Sequence, residues 1–180
     1  MRTKHALMVF HEGFEEIEAI SPLDILRRAK VEVDTVSLQD KMEVVGAHGV
    51  SLRVDECLRH IEDFSKYDML VIPGGPGVFN ILNDSLLLSL IQDFHKNNKW
   101  IAAICAAPLL LKEAGVLPQK YTAHFSVIQN LPEALPDAVV VDGNVITSKG
   151  SGSACEFAFA CAQALQSEEL VNKLKKSMSF

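Results

Sequence analysis

The sequence predicts an α/β fold, a mostly parallel sheet with helices on both faces, and three observations carry that expectation. Apolar bursts alternate with helical patterns through the first two-thirds of the chain, the order that a parallel sheet with crossover helices produces. The bursts are short and continuous, as in strands buried on both faces. The length of 180 residues, with 48% hydrophobic and 22% charged, suits one domain with a sizeable core and excludes disorder.

Ala6–Phe10 reads as a buried strand and Glu15–Ala29 as the helix after it. Val31–Ser37 is a second strand, and Glu43–Val54 a β-hairpin turning near Gly46–Gly49. Met69–Ile72 is a short buried strand that runs into Pro73-Gly74-Gly75-Pro76-Gly77. Asp84–Asn97 is helical, Trp100–Ile104 is another buried strand, and a helix over Ala106–Ala114 stops at Gly115. Val139–Val141 and Val145–Thr147 flank Asp142-Gly143, a hairpin-turn signal. Ser153–Leu165 and Glu168–Lys176 are closing helices. There is no repeat, low-complexity stretch or linker, so residues 1–180 are read as one domain.

A net charge of −6 offers no basic stripe to neutralise phosphates and argues against nucleic-acid binding. Lys173, Lys175 and Lys176 read as the solvated last turn of a helix. Met1–Phe10 is too short in apolar residues for a signal sequence. The longest apolar run, Ile101–Leu111, falls short of the roughly 20 residues of a membrane span. The expectation is a cytoplasmic protein without a membrane partner. Cys57, Cys105, Cys155 and Cys161 show no CxxC spacing, which predicts free thiols and no zinc.

In parallel sheets, sites form outside the carboxyl ends of the strands. Cys105 occupies such a place, between a strand and a helical run, flanked by Ala102, Ala103, Ala106 and Ala107. A strand-to-helix elbow presents a nucleophile, and a helix N-terminus favours the thiolate. A buried structural thiol fits the position equally well. On a helical wheel of about 100° per residue, Glu15 and Glu18 fall in the apolar half of the first helix. Glu18 lands between Ile25 and Ala29, where a carboxylate needs partners or keeps its proton. Gly74-Gly75 directly follows a strand and fits either an oxyanion site or a plain tight turn. His124, beyond what reads as another short strand, is by itself more often a structural hydrogen-bonder.

Taken together, EEIE at the first helix, PGG after an internal strand, AAICA at the elbow, His124 and TSKGSGSACEFA resemble the ThiJ/PfpI superfamily, in the branch of the Parkinsonism-associated protein deglycase and YajL. The resemblance covers nearly the whole chain. It implies a flavodoxin-like three-layer sandwich and a homodimer. It also implies a cofactor-free glyoxalase or deglycase acting on methylglyoxal or its early protein adducts. Cys105 would then be the nucleophile and redox-sensitive thiol, Glu18 its protonated partner and His124 the nearby imidazole. The amides of Gly75 and Ala106 would form the oxyanion site, with Gly74 shaping the loop. Glu15 would be a second acidic position of the pocket, and Arg28 would lie near the dimer interface. No metal or other cofactor is implied. His48 and Lys149 stand where relatives often carry Arg, and Pro76 where they often carry Asn. Lys keeps the charge at 149 but loses the bidentate fork.

Competing readings are an oxidative-stress sensor or chaperone in which Cys105 is oxidised, and a fold member that has lost activity. A PfpI-like peptidase is a further alternative. That branch places His directly after the nucleophile, whereas here Ala106 follows Cys105.

Overall fold

Seven strands form the central sheet in the order β5-β2-β1-β6-β7-β9-β8. They are β1 (His5–Phe10), β2 (Glu32–Ser37), β5 (Glu56–Cys57), β6 (Met69–Ile72), β7 (Trp100–Ile104), β8 (Val139–Asp142) and β9 (Val145–Ser148). Every pairing is parallel except β8 with β9, the hairpin that turns at Asp142-Gly143. β3 (Glu43–Val45) and β4 (Ser51–Arg53) make a separate antiparallel pair, the hairpin the sequence predicts. The computed structural model describes residues 2–180, so the first residue of the amino-terminal segment read above lies outside the described residues.

Helices cover both faces. α1 (Glu16–Arg28), α4 (Ala154–Leu165) and α5 (Glu168–Ser177) pack on one side, and α2 (Ser85–Lys96) and α3 (Pro108–Glu113) on the other. Strand pleating divides the apolar residues between two cores. From β1, Leu7 and Val9 enter one core while Ala6, Met8 and Phe10 enter the other. Phe94 of α2 and Phe157 of α4 are fully buried anchors on opposite faces. This is the mostly parallel three-layer α/β sandwich that the sequence predicts. Among the described residues, no helix is long and apolar enough to cross a membrane.

Two sequence expectations need correction, and one strand escaped the sequence reading. The helix after Cys105 starts at Pro108, because residues 105–107 turn too sharply to join it and Pro suits a first helical position. The short strand expected before His124 is absent, with no strand in residues 114–124. The backbone there is anchored singly, Thr122 N–H to Thr147 Oγ1 and His124 N–H to the Cys105 carbonyl, and no ladder forms. β5 escaped notice because two residues carry no readable periodicity.

Candidate active site

The carboxyl ends of β1, β6, β7 and β9 bring the candidate residues together. β7 ends at Ile104, and Cys105 adopts φ 66°, in the left-handed region that non-glycine residues seldom enter. Two backbone bonds hold it there. Its N–H donates to the Ser148 carbonyl at 2.8 Å, and its own carbonyl accepts from His124 N–H at 2.9 Å. The elbow predicted from the small residues around Cys105 is therefore present, and it raises the side chain out of the strand end. All four cysteines are free.

Glu18 projects from α1 and is 1% exposed. Its Oε2 accepts the Gly74 N–H at 3.1 Å, and its Oε1 accepts the Ser151 hydroxyl at 3.0 Å. The carboxyl and the Cys105 thiol meet against Gly74, close enough for each to shift the pKa of the other. The amides of Gly75 and Ala106 lie near enough to the Cys105 sulfur to draw its pKa down. Glycine is required at 74, because a Cβ there would stand 2.5 Å from both Cys105 Cβ and Glu18 Oε2. Gly75, at φ 104°, passes so close to the β1–α1 loop that a Cβ would meet Glu15 N at 2.5 Å.

Burial pushes the Glu18 carboxyl above its ordinary range. The Ser151 hydroxyl, the Cys105 thiol and the Gly74 amide pull against that push, and the Glu15 charge adds to it. Burial and then an ionised Glu18 push the Cys105 thiol up to about 12, while the Gly75 and Ala106 amides draw it down. The thiolate expected from a helix N-terminus therefore depends on Glu18 keeping its proton. α3 is six residues long and starts beyond the thiol, and the carboxyl is the nearer charge. The two acids compete for one proton, and a protonated Glu18 removes the repulsion and donates to the sulfur.

The remaining candidates lie around this centre. Glu15 caps α1 with its backbone, donating N–H to the Gly74 carbonyl at 3.0 Å, and its carboxylate faces His48 Nδ1 at 3.5 Å. His48 binds Glu16 more closely, at 2.8 Å, which raises the imidazole pKa and lowers that of the carboxyl despite an opposing desolvation effect. His124 turns Nδ1 to the Ser126 hydroxyl at 2.8 Å and stacks against Phe125. Its ring and Glu18 lie on either side of Gly150, since a Cβ there would be 3.1 Å from His124 Cδ2 and 3.8 Å from Glu18 Oε1. An open depression of about 440 Å³ beside it is lined by His124, Phe125, Lys149, Gly150, Ser151 and Ser153. Lys149 is drawn aside to the Pro136 carbonyl at 3.1 Å.

Sequence reasoning missed two participants. Ser151 lies in the quoted TSKGSGSACEFA segment, yet nothing marked which of its hydroxyls would reach a buried acid. Its place just after β9 was the available signal. His11, fully buried, joins the two glutamate- and glycine-bearing loops, with Nδ1 3.1 Å from the Glu12 carbonyl and Nε2 3.2 Å from the Pro73 carbonyl.

The profile of the DJ-1/PfpI family matches residues 4–164. Protein dj-1beta of Drosophila melanogaster is 34% identical over 98% of this chain and 97% of that protein. The crystal structure of Drosophila melanogaster DJ-1beta superimposes with a TM-score of 0.93, covering 98% of both chains at 34% identity. Glutathione-independent glyoxalase DJR-1.2 of Caenorhabditis elegans is 33% identical over 93% of this chain and 91% of that protein. A structure of oxidised Toxoplasma gondii DJ-1 aligns at a TM-score of 0.92 and 31% identity over 99% of both chains.

Proposed function

The chain belongs to the DJ-1/PfpI family, and we propose that it is a cofactor-free, cysteine-dependent glyoxalase of the deglycase type, acting on methylglyoxal or its early protein adducts. The observation that carries this reading is the placement of a buried Glu18 carboxyl beside the Cys105 elbow, both packed against Gly74, with the Gly75 and Ala106 amides near the same sulfur. A relative of similar length is a glutathione-independent glyoxalase, and in this chain the Cys105 thiol is the nucleophile available for such a reaction.

In the proposed sequence, Cys105 Sγ forms a bond to the aldehyde carbon of methylglyoxal, and Glu18 gives its proton to the aldehyde oxygen. The amides of Gly75 and Ala106 hold that oxygen as its charge develops. Glu18, now a carboxylate, or His124 removes the former aldehyde hydrogen. A proton reaches the neighbouring ketone oxygen to give an enediol. The C1 hydroxyl gives up its proton as the second carbon takes one, the carboxyl relaying it, and a lactyl thioester results. Water cleaves its C–S bond, releasing lactate and returning the proton to the thiol. The same hemithioacetal chemistry serves an adduct on an amine, with the amine as leaving group.

The working form is proposed to be a homodimer. α1 turns Ile17, 54% exposed, and Ile20, 39% exposed, away from the core, and Arg28 ends the same helix. A second reading, a redox sensor, is supported by the partial exposure of Cys105 and by donors arranged to hold an oxidised sulfur. A peptidase has less support, because the His124 ring pairs with a serine and no carboxylate orients it.

The deciding assay follows methylglyoxal loss and lactate formation by the purified chain. Turnover is expected to disappear in Cys105→Ser and to fall at least 100-fold in Glu18→Gln, the loss of one general acid–base group. Undiminished turnover in Cys105→Ser overturns the proposal. Absence of turnover in the parent chain, with ready oxidation of Cys105, favours the sensor.

A further inference from the structure

Away from the Cys105 pocket, β5 and the turn after it gather a second set of metal-ligating groups. Ligand atoms of Glu56, Cys57 and His60 all lie within 4.8 Å of one another. The Cys57 sulfur also lies 3.9 Å from Met42 Sδ. His60 places Nδ1 3.0 Å from Glu56 Oε1 and Nε2 3.6 Å from Asp40 Oδ1. Asp40 is held in turn by Arg59 at 3.1 Å.

Two further observations separate this cluster from an ordinary core thiol. Cys57 is 4% exposed yet belongs to neither apolar core, and its side-chain partner is the weakly accepting Met42 thioether. Beside it on β2 stands Ser37, its register partner. Among the described residues, Ser37 Oγ is the buried side-chain polar atom left without a hydrogen-bond partner. Register partners on parallel strands emerge on the same face of the sheet. The orphan hydroxyl and the thiol therefore share a face, and a thiolate there is an acceptor for it.

Spacing among the cysteines alone gave no reason to expect zinc. The ligand pattern here is Cys57-x-x-His60, on a strand that enters a tight 3₁₀ turn at Leu58–His60. Metal–sulfur bonds of about 2.3 Å and metal–nitrogen bonds of about 2.0 Å, set tetrahedrally, separate ligand atoms by about 3.3–3.8 Å. Ligand atoms all within 4.8 Å of one another reach that spacing by small adjustments of two half-exposed side chains, Glu56 and His60.

We propose that Glu56, Cys57 and His60 form a binding site for a thiophilic divalent cation, Zn²⁺, with Met42 Sδ or water in the fourth position. One thiolate and one carboxylate neutralise the dication, and the Cys57 proton leaves to solvent as the metal–sulfur bond forms. In the metal-bound site Nδ1 of His60 faces the metal, and Nε2–H closes on Asp40 Oδ1 from its present 3.6 Å. This is the carboxylate–histidine–metal arrangement that fixes the tautomer and orients the ring.

The test uses the full chain, reduced and stripped with a chelator, titrated with Co²⁺ and then back-titrated with Zn²⁺. One equivalent of Co²⁺ is expected to produce a near-ultraviolet thiolate-to-cobalt band that Zn²⁺ abolishes. Cys57→Ala removes the band. His60→Ala, at a half-exposed position that leaves folding intact, weakens binding at least about tenfold. Cys105→Ser and His48→Ala leave the band and affinity unchanged. Absence of a thiolate band overturns the site, as does a band that survives Cys57→Ala or vanishes with Cys105→Ser. Should Cys57→Ala fail to fold, unchanged affinity in His60→Ala overturns it alone.

Discussion

Glu18 and Cys105 stand side by side against Gly74 in a pocket that hides the carboxyl almost completely, so the two acids titrate as one unit. The first proton to leave gives a single charge that sulfur and carboxyl share, and that charge drives the second loss upward. Iodoacetamide labelling of Cys105 against pH, with peptide mapping, is expected to show two steps. Glu18→Gln leaves one step, lying between the two of the parent chain. An identical profile in parent and variant rules out the coupling.

Ser151→Ala removes the hydroxyl that donates to Glu18 Oε1. That donor favours the ionised carboxylate, so its loss moves the Glu18 pKa further up. A carboxyl whose folded pKa is raised gives stability that is complete below its unfolded pKa and lost as pH rises through the folded value. The high-pH side of the stability profile is therefore expected to shift upward in pH in Ser151→Ala, while Glu18→Gln abolishes that dependence. The lost bond itself costs about 1–3 kcal/mol. Urea melts from pH 5 to 9 measure both effects.

Gly74→Ala forces a Cβ into the space of Cys105 Cβ and Glu18 Oε2. Overpacking of this kind costs about 1–3 kcal/mol. Because the clash is with the reacting pair, methylglyoxal turnover is expected to fall more than tenfold even where the chain stays folded. Circular dichroism and turnover on the same preparation check this. Full activity in a folded Gly74→Ala protein contradicts the assigned geometry.

The His48–Glu16 pair ties the β3–β4 hairpin to the start of α1. The imidazole pKa is raised, so its contribution is present below the unfolded value and lost as pH rises through the folded one. The Glu16 pKa is lowered, so its contribution is lost as pH falls through the folded carboxylate value. The pair is strongest in the mildly acidic window between them. His48→Ala is expected to flatten the dependence of Tm on pH between about 5 and 8. His48→Arg is expected to keep the link at higher pH. Scanning calorimetry distinguishes the two variants.

The sheet was legible because strands such as Leu7–Phe10 and Met69–Ile72 are buried on both faces and read as unbroken apolar runs. Glu18 was legible because a helix wheel exposes a carboxyl on the wrong side. What escaped notice depends on tertiary approach. β5 has two residues and is defined by its neighbour β2 alone. Ser151 sits 133 residues from the carboxyl it serves. The shift of the Cys105 pKa reflects how near Glu18 comes and how little water does, and neither is encoded in local pattern.

The left-handed backbone at Cys105 has a consequence for how this protein drifts under mutation. That conformation costs an ordinary L-residue roughly 1–2 kcal/mol, and glycine occupies it freely. Cys105→Gly is therefore expected to give a chain more robust than the parent and wholly inert. Selection for stability alone pushes this codon away from cysteine. Cysteine at the elbow is therefore a residue that fold maintenance by itself would not select.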